Sequence, residues 1–347
     1  MVRLKDIADR LGVSVMTVSK AVRDEKDVSV ATKARIRQLA QEMGYVPDSS
    51  AQGLRNRTTK LFGLAISSLT NPAFTRLVMA LEDSAYELGY EVLLAHTLNT
   101  QEREEACLRR FLSRRIDGLF ISPVYRMGTE ARIYGELLSR HIPTVVLGHT
   151  APFCSQFVSI ATDDLLAGYA VTRHLLKLGH KRIAFLAGPL ATPWHQERFE
   201  GYRRALREDG LDVDDKLVFQ AGRTIEDGAK AATQMMSEST DATAVQAVND
   251  LVAVGCANEF LNRGLAIPQD ISVAGFGNTA IGEYFRVPLT STRQPRYRLG
   301  LAAMEAMQQL LRGNRPESKR LSAELLPRQS TGTAPATSPF KRLKGLA

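Results

Sequence analysis

The stretch Leu4–Val22 reads LKDIADRLGVSVMTVSKAV, and its spacing predicts two short helices joined by a tight turn. Leu4, Ile7, Ala8 and Leu11 recur at helical intervals. Gly12-Val13-Ser14 follows, giving a glycine for the turn, an apolar plug, and a serine suited to cap the next helix. Val15–Val22 is the second helix, with Val18 and Val22 directed one way. Beyond the polar loop Asp24–Ser29, a third helix carries Ala34, Ile36, Leu39, Ala40 and Met43 and closes at Gly44. A bracing helix, a turn and a second helix are the parts needed to lay one helix in the major groove of DNA.

Charge distribution agrees with a polyanion partner at that end. Residues 1–60 hold twelve Lys and Arg against seven Asp and Glu, a net +5 out of +8 for all 347 residues. A basic segment on a near-neutral body fits nucleic acid, although a solvated basic face would have the same composition. Residues 46–60, VPDSSAQGLRNRTTK, are polar, small and basic, and read as a linker.

From Leu61 the pattern changes to short apolar strands alternating with amphipathic helices. Strands are expected at 61–67, 91–96, 118–122, 144–148, 182–187, 217–220, 244–248 and 271–276. Helices are expected at 74–88, 165–178, 196–209 and 250–262. That alternation predicts parallel, doubly wound α/β sheets. So many units exceed one ordinary open sheet, which suggests two lobes. The tail after Pro327, RQSTGTAPATSPFKRLKGLA, is rich in Thr, Ser, Pro and Ala, and residues 332–347 are expected to be disordered.

Composition excludes several classes. No apolar run is long enough to span a membrane, and the charged start lacks the apolar segment of a signal peptide. Cys107, Cys154 and Cys256 lie far apart without metal-ligand spacing, which suggests free thiols in a reducing cytoplasm. There is no Gly-x-Ser-x-Gly elbow, His-Glu-x-x-His, Cys-x-x-Cys or phosphate loop. Neither an enzyme, a metal site nor a cofactor is expected. Asp163-Asp164, the nearest thing to a carboxylate pair, reads more naturally as helix capping.

The N-terminal 60 residues resemble the LacI/GalR family of bacterial repressors. The resemblance runs through the Lys5-Asp6 start, Gly12-Val13-Ser14, Thr17-Val18-Ser19, Val28-Ser29, Glu42–Pro47 and Ala51–Arg55. It implies that Val15, Met16 and Lys20 face bases, while Thr17, Ser19 and Ser29 hold phosphates. Phosphate contacts set position and base contacts set sequence. Lys20 can donate to guanine, whereas Val15 and Met16 offer apolar contact such as a thymine methyl. The competing reading of Val15 and Met16 is a place in the core. In the linker, the resemblance implies a hinge helix whose Leu54 wedges into the minor groove with Arg55 beside it.

The remainder is also similar to the family, whose effector domain has two lobes joined by three crossovers with ligand in the cleft. The implied organisation is a headpiece at 1–46, a hinge at 47–60 and an effector domain at 61–331. Its N-lobe would comprise about 61–161 and 292–322, and its C-lobe about 162–291 and 323–331. Ser68, Phe74, Asp163, Arg198 and Asn249 fall at matching positions of the pocket, and Trp194 could stack on a ligand. Two departures stand out: Gly277 occupies a position where the family commonly has aspartate, and Gly148-His149 replaces an Asp-containing pair. Arg223 is an added cation. Losing a carboxylate and gaining an arginine points to an anionic effector, a sugar acid or a phosphorylated sugar. Alternatively Arg223 pairs with Glu226 or Asp227, and His149 is a hydrogen-bonded loop residue. The expected partners are a pseudopalindromic DNA operator, a carbohydrate-derived effector and a second copy of the chain, since the tail has no heptads for a higher assembly.

Overall fold

Ile7, Ala8, Val18, Ala21, Ile36 and Ala40 close the core of the first of two units. The computed structural model describes residues 2–46, 58–70, 72 and 74–340, and the chain divides into residues 1–59 and 60–347. The first unit is built from α1 (Leu4–Leu11), α2 (Val15–Val22) and α3 (Val30–Glu42). Gly12 takes φ 67°, a left-handed conformation that glycine adopts without strain, and this ends α1. Ser14 then caps α2 by accepting from the Thr17 amide at 3.0 Å, and Ser29 caps α3 by accepting from Thr32 at 3.2 Å. Ala34, expected in the apolar stripe of α3, is exposed. Ile36 and Ala40 form the buried face with Leu39 and Met43 at its rim.

The second unit contains two parallel sheets. The first has the order β11-β5-β4-β3-β1-β2. Its strands are β1 (Leu61–Ile66), β2 (Glu91–His96), β3 (Gly118–Ile121), β4 (Thr144–Leu147), β5 (Val158–Thr162) and β11 (Lys319–Leu321). Helices α4 (Thr75–Glu87), α5 (Gln101–Ser113), α6 (Arg132–Ser139) and α12 (Arg296–Leu311) accompany it. Phe62, Leu64, Phe120 and Val145 pack with Leu299, Ala303 and Met307 of α12, which seats that helix on this sheet.

The second sheet has the order β7-β6-β8-β9: β6 (Ile183–Ala187), β7 (Val218–Gln220), β8 (Ala244–Ala247) and β9 (Ser272–Ala274). Around it lie α7 (Asp164–Lys177), α8 (Pro193–Glu208), α9 (Ile225–Ser237), α10 (Asp250–Asn262) and the short α11 (Ala280–Glu283). An antiparallel ribbon of β10 (Ser291–Arg293) and β12 (Glu324–Leu326) carries the chain between the sheets. All eight strands read from the sequence are present, several trimmed by one to three residues. The strand β5 and the three-residue β10, β11 and β12 were not read. No described helix is long and apolar enough to cross a membrane.

The tail corrects an expectation. Described residues 332–340 lie packed on the second sheet's lobe instead of being disordered. The Ala334 amide donates to the Leu178 carbonyl at 2.9 Å and Ser338 Oγ to the Thr240 carbonyl at 2.8 Å. Phe340 is fully buried, with its ring 5.5 Å from that of Phe260. An apolar aromatic following a polar stretch finds a hydrophobic socket, which outweighs the composition of the stretch before it.

Candidate functional site

On α2, alternation of buried and exposed residues leaves one face of the helix in solvent. Val18 and Ala21 are wholly buried, whereas Val15 is 44% and Met16 59% exposed. The core reading of that pair therefore fails. Two apolar side chains in succession stand in solvent on a helix that begins straight after a turn. Lys20 lies on the same helix, and its ammonium is paired with Asp27. In the same unit Lys33 and Arg37 both engage Asp24, at 3.0 and 2.8 Å. Thr17 Oγ1 is 2.9 Å from Ser14 Oγ. Leu54 and Arg55 lie outside the described residues.

In the second unit, one cavity of about 210 Å³ collects residues from the C-terminal ends of strands in both sheets. Parallel sheets leave strand ends and helix starts facing such a crevice. Tyr125 follows β3 and His149 follows β4, whereas Arg223 follows β7 and Gly277 follows β9. Phe74 precedes α4, Trp194 stands in the first turn of α8, and Asn249 caps α10.

Close helix packing assembles the centre of this cavity. A Cβ at Gly168 would stand 2.5 Å from the Arg198 carbonyl oxygen, and one at Gly201 only 2.2 Å from that of Leu165. Glycine at both positions therefore lets α7 and α8 touch, and Asp164 reaches Arg198. Arg198 Nε donates to Asp164 Oδ1 at 2.8 Å, and its Nη1 donates to the Val248 carbonyl at 2.6 Å. The rings of Phe276 and Trp194 cover the guanidinium, with centroids 3.3 and 4.7 Å from its carbon. Asp164 Oδ2 is 2.7 Å from His149 Nε2, and His149 Nδ1 is 3.5 Å from Glu197 Oε1. Glu197 also meets Arg320 of β11 at 2.9 Å. Burial opposes ionisation of Asp164, but Arg198 and then His149 outweigh it and hold the carboxyl below its usual range. His149 is thus a hydrogen-bonded loop residue at the cavity wall, and it joins the two lobes through a carboxylate network.

Two other arginines of the cavity are paired with no carboxylate among the described residues. The Asp227 carboxylate accepts from the backbone amides of Arg223 and Thr224 at 2.9 and 3.0 Å, and it does not meet the Arg223 guanidinium. Arg223 Nε is buried without a hydrogen-bond partner, and burial lowers the affinity of this guanidinium for its proton. Arg296, which the sequence reading missed, likewise has a buried Nε without a partner. Its Nη2 donates to Gln294 Oε1, and Gln294 Nε2 donates to Thr162 Oγ1 at 3.0 Å. Burial and then the neighbouring Arg198 charge bring the Arg296 pKa down to about 10. It remains a cation at neutral pH.

Asp250 is the second carboxylate at the cavity. It accepts from Thr279 N at 2.6 Å and from Ser291 Oγ at 2.6 Å, yet burial raises its pKa. A Cβ at Gly277, where φ is 129°, would lie 3.6 Å from Asp250 Oδ2. An aspartate at position 277 would bring a further carboxylate toward Asp250, so glycine leaves that wall less negative.

Some predicted site residues are placed elsewhere. Ser68 does not line the cavity, whereas Ser67 does; Ser68 Oγ instead accepts from Thr70 N at 3.2 Å. Asp163 caps α7 through the Leu166 amide at 3.0 Å, leaving Asp164 to line the cavity. Adjacent residues at a helix start point apart, so one caps and the other turns inward. Asn249 lines the wall, but its amide is engaged: Oδ1 accepts from Val252 N at 2.8 Å and Nδ2 donates to the Arg223 carbonyl at 3.2 Å. Asn249 thus fixes the Arg223 loop. The three cysteines are free and buried, and among the described residues no group of His, Cys, Asp and Glu is arranged to hold a metal ion.

Residues 3–48 match the family described as bacterial regulatory proteins, lacI family, and residues 172–331 match the periplasmic binding protein-like domain. The HTH-type transcriptional repressor PurR of Vibrio atlanticus (strain LGP32) is 31% identical over 96% of this chain and 99% of its own length. Among solved structures, the lac repressor dimer bound to operator and the anti-inducer ONPF superposes with a TM-score of 0.84 at 27% identity, over 95% of this chain and 99% of that one. A sugar-binding lacI-family regulator from Escherichia coli complexed with phosphate has a TM-score of 0.69 at 26% identity, covering 80% of this chain and 99% of its own. With a helix–turn–helix unit followed by a two-sheet ligand-cavity unit, the chain belongs to the lacI family of DNA-binding transcriptional regulators.

Proposed function

We propose that this protein is a dimeric repressor whose affinity for a pseudopalindromic operator is controlled by an anionic, carbohydrate-derived effector. Val15, Met16 and Lys20 read bases on the exposed face of α2, and Thr17, Ser19 and Ser29 hold phosphates. Leu54 and Arg55 extend the contact into the minor groove. The observation that carries the effector class is Arg223, a guanidinium at the cavity wall whose buried Nε has no hydrogen-bond partner and with which no carboxylate pairs among the described residues. Such a group favours a ligand that brings its own negative charge, accepting through two parallel hydrogen bonds.

Self-association is supported by the outer edge of the first sheet. The edge strand β2 exposes Leu94, and α4 exposes Met79 and Tyr86. Exposed apolar groups on an edge strand and on the helix before it favour an association surface there. A two-fold dimer then presents two copies of α2 to two half-sites. Ligand and DNA are linked reciprocally: whatever the effector does to DNA affinity, DNA does to effector affinity.

Isothermal titration with neutral hexoses and with hexuronates tests the effector class. Binding of an acid with little response to the neutral sugar supports it. Tight binding of a neutral hexose with no response to acids contradicts it.

A further inference from the structure

Arg296 occupies a costly position. It is the first residue of the sixteen-residue α12, directly after the N-cap Pro295, where the helix dipole repels a cation. No acidic residue stands in that first turn. Of the charges that act on it, the cation Arg198 outweighs the carboxylates of Asp164 and Asp250, neither of which it meets, and among the described residues the side-chain acceptor it does meet is the neutral Gln294 oxygen. Its Nε is buried without a partner. A buried cation at the positive end of a helix, beside a second arginine and without a carboxylate of its own, destabilises the ligand-free fold. Perturbed charges of this kind gather at functional sites.

We infer that Arg296 determines effector specificity by gripping the ligand's acid group together with Arg198. This rests on the reading of the cavity as an effector site and adds the place where the anion sits. Arg198 is already committed through Nε and Nη2 to one oxygen of Asp164 and through Nη1 to the Val248 carbonyl, which fixes the plane of its guanidinium. Gln294, anchored on Thr162, steers Arg296 toward the same space. The two arginines come from different lobes: α12 packs on the first sheet, and Tyr202 and Ala205 pack α8 on the second. An anion accepted by both ties the lobes together, so ligand charge is converted into lobe closure.

The test is calorimetric titration of the full-length protein with D-glucuronate, D-gluconate, D-glucose 6-phosphate, inorganic phosphate and D-glucose. Wild type, Arg296→Gln, Arg296→Lys and Arg223→Gln are compared. At least one anion binds wild type, and Arg296→Gln weakens it by about 30-fold, the loss of a charge-assisted pair of hydrogen bonds. D-glucose affinity changes by less than about threefold, because a neutral ligand has no acid group to lose. Arg296→Lys recovers part of the anion affinity, and the melting temperature of ligand-free Arg296→Gln stays at or above that of wild type. Retention of anion binding within threefold in Arg296→Gln, with loss in Arg223→Gln, overturns this inference and leaves the anionic-effector reading standing. Equal losses of D-glucose and anion in Arg296→Gln also overturn it. Binding of D-glucose but of no anion to wild type, or of none of the five probes, overturns both.

Discussion

The Arg198 guanidinium and the Asp164 carboxylate are paired within the cavity, with Nε and Nη2 2.8 and 2.7 Å from the same carboxylate oxygen. The pair joins the first turn of α7 to α8, and Asp164 passes the contact on to His149 in the other lobe. Replacing Asp164 by alanine leaves Arg198 buried beside Arg296 without its hydrogen-bonded carboxylate, with only the charges of Asp250 and Glu197 to offset it. That change is expected to lower unfolding stability by about 3 kcal/mol or more. Chemical denaturation of the full chain measures it, and an added anionic ligand should restore part of the loss. An unchanged midpoint would mean that Asp164 compensates nothing.

Lys20 and the Val15–Met16 pair should separate into two kinds of DNA effect. Lys20→Ala should relax preference at one base position and cost about 1–3 kcal/mol on the preferred site. Exchanging Val15 and Met16 for polar residues should change which sequence is preferred while leaving affinity for random duplex nearly intact, because phosphate contacts are untouched. Selection from a randomised duplex pool followed by anisotropy titration distinguishes these outcomes. The same pool bound by all variants would contradict the assignment of this face to bases.

Phe340 should be a structural residue despite lying in a low-complexity tail. It is fully buried against Phe260. Phe340→Ala is expected to cost about 3 kcal/mol, as for other large-to-small changes in a packed core. A thermal melt reads this directly, and a shift of less than a degree would show that the tail is dispensable.

Acid should destabilise the second unit in a defined window. His195 accepts the Gly188 amide on Nδ1 at 3.2 Å and is almost wholly buried. Burial, and then Arg198, push its pKa down to about 4 from the ordinary 6.5. The unfolded chain therefore takes up a proton as pH falls through about 6.5 while the folded one resists. The stabilisation is complete above that value and is lost progressively as pH drops to about 4, by up to about 3 kcal/mol. Burial depresses His174 and His180 in the same direction. Melting temperature between pH 7 and 4 measures the trend, and His195→Gln should flatten part of it. A slope unaffected by His195→Gln would assign the effect to the other groups.

These sites were legible in the sequence to different depths. The headpiece was open because its signals are local: Gly12 ends a helix and Ser14 starts the next within three residues. Strand positions were legible where a short apolar stretch stands between helical patterns, even for the three-residue β7 and β9. The ribbon of β10 and β12 was not, because Ser291-Thr292-Arg293 is polar and its hydrogen bonds come from partners more than thirty residues away. The cavity divides similarly. Arg198 and Arg223 stood out from the resemblance and from added charge. Arg296 did not, since its role depends on α12 packing on the first sheet so that its N-terminus meets α8. Asp163 was favoured over Asp164, and only the helix geometry decides which carboxylate caps and which turns inward.

The most direct test of the account is to select duplexes from a randomised pool with the full-length protein, then titrate the enriched duplex with and without an anionic sugar that binds the cavity. The expected result is a two-fold symmetric site, affinity that falls steeply with added salt, and at least about a tenfold change in affinity when the cavity is filled. Enrichment of no sequence over random DNA, or an enriched duplex bound equally well with the cavity empty and filled, would contradict it.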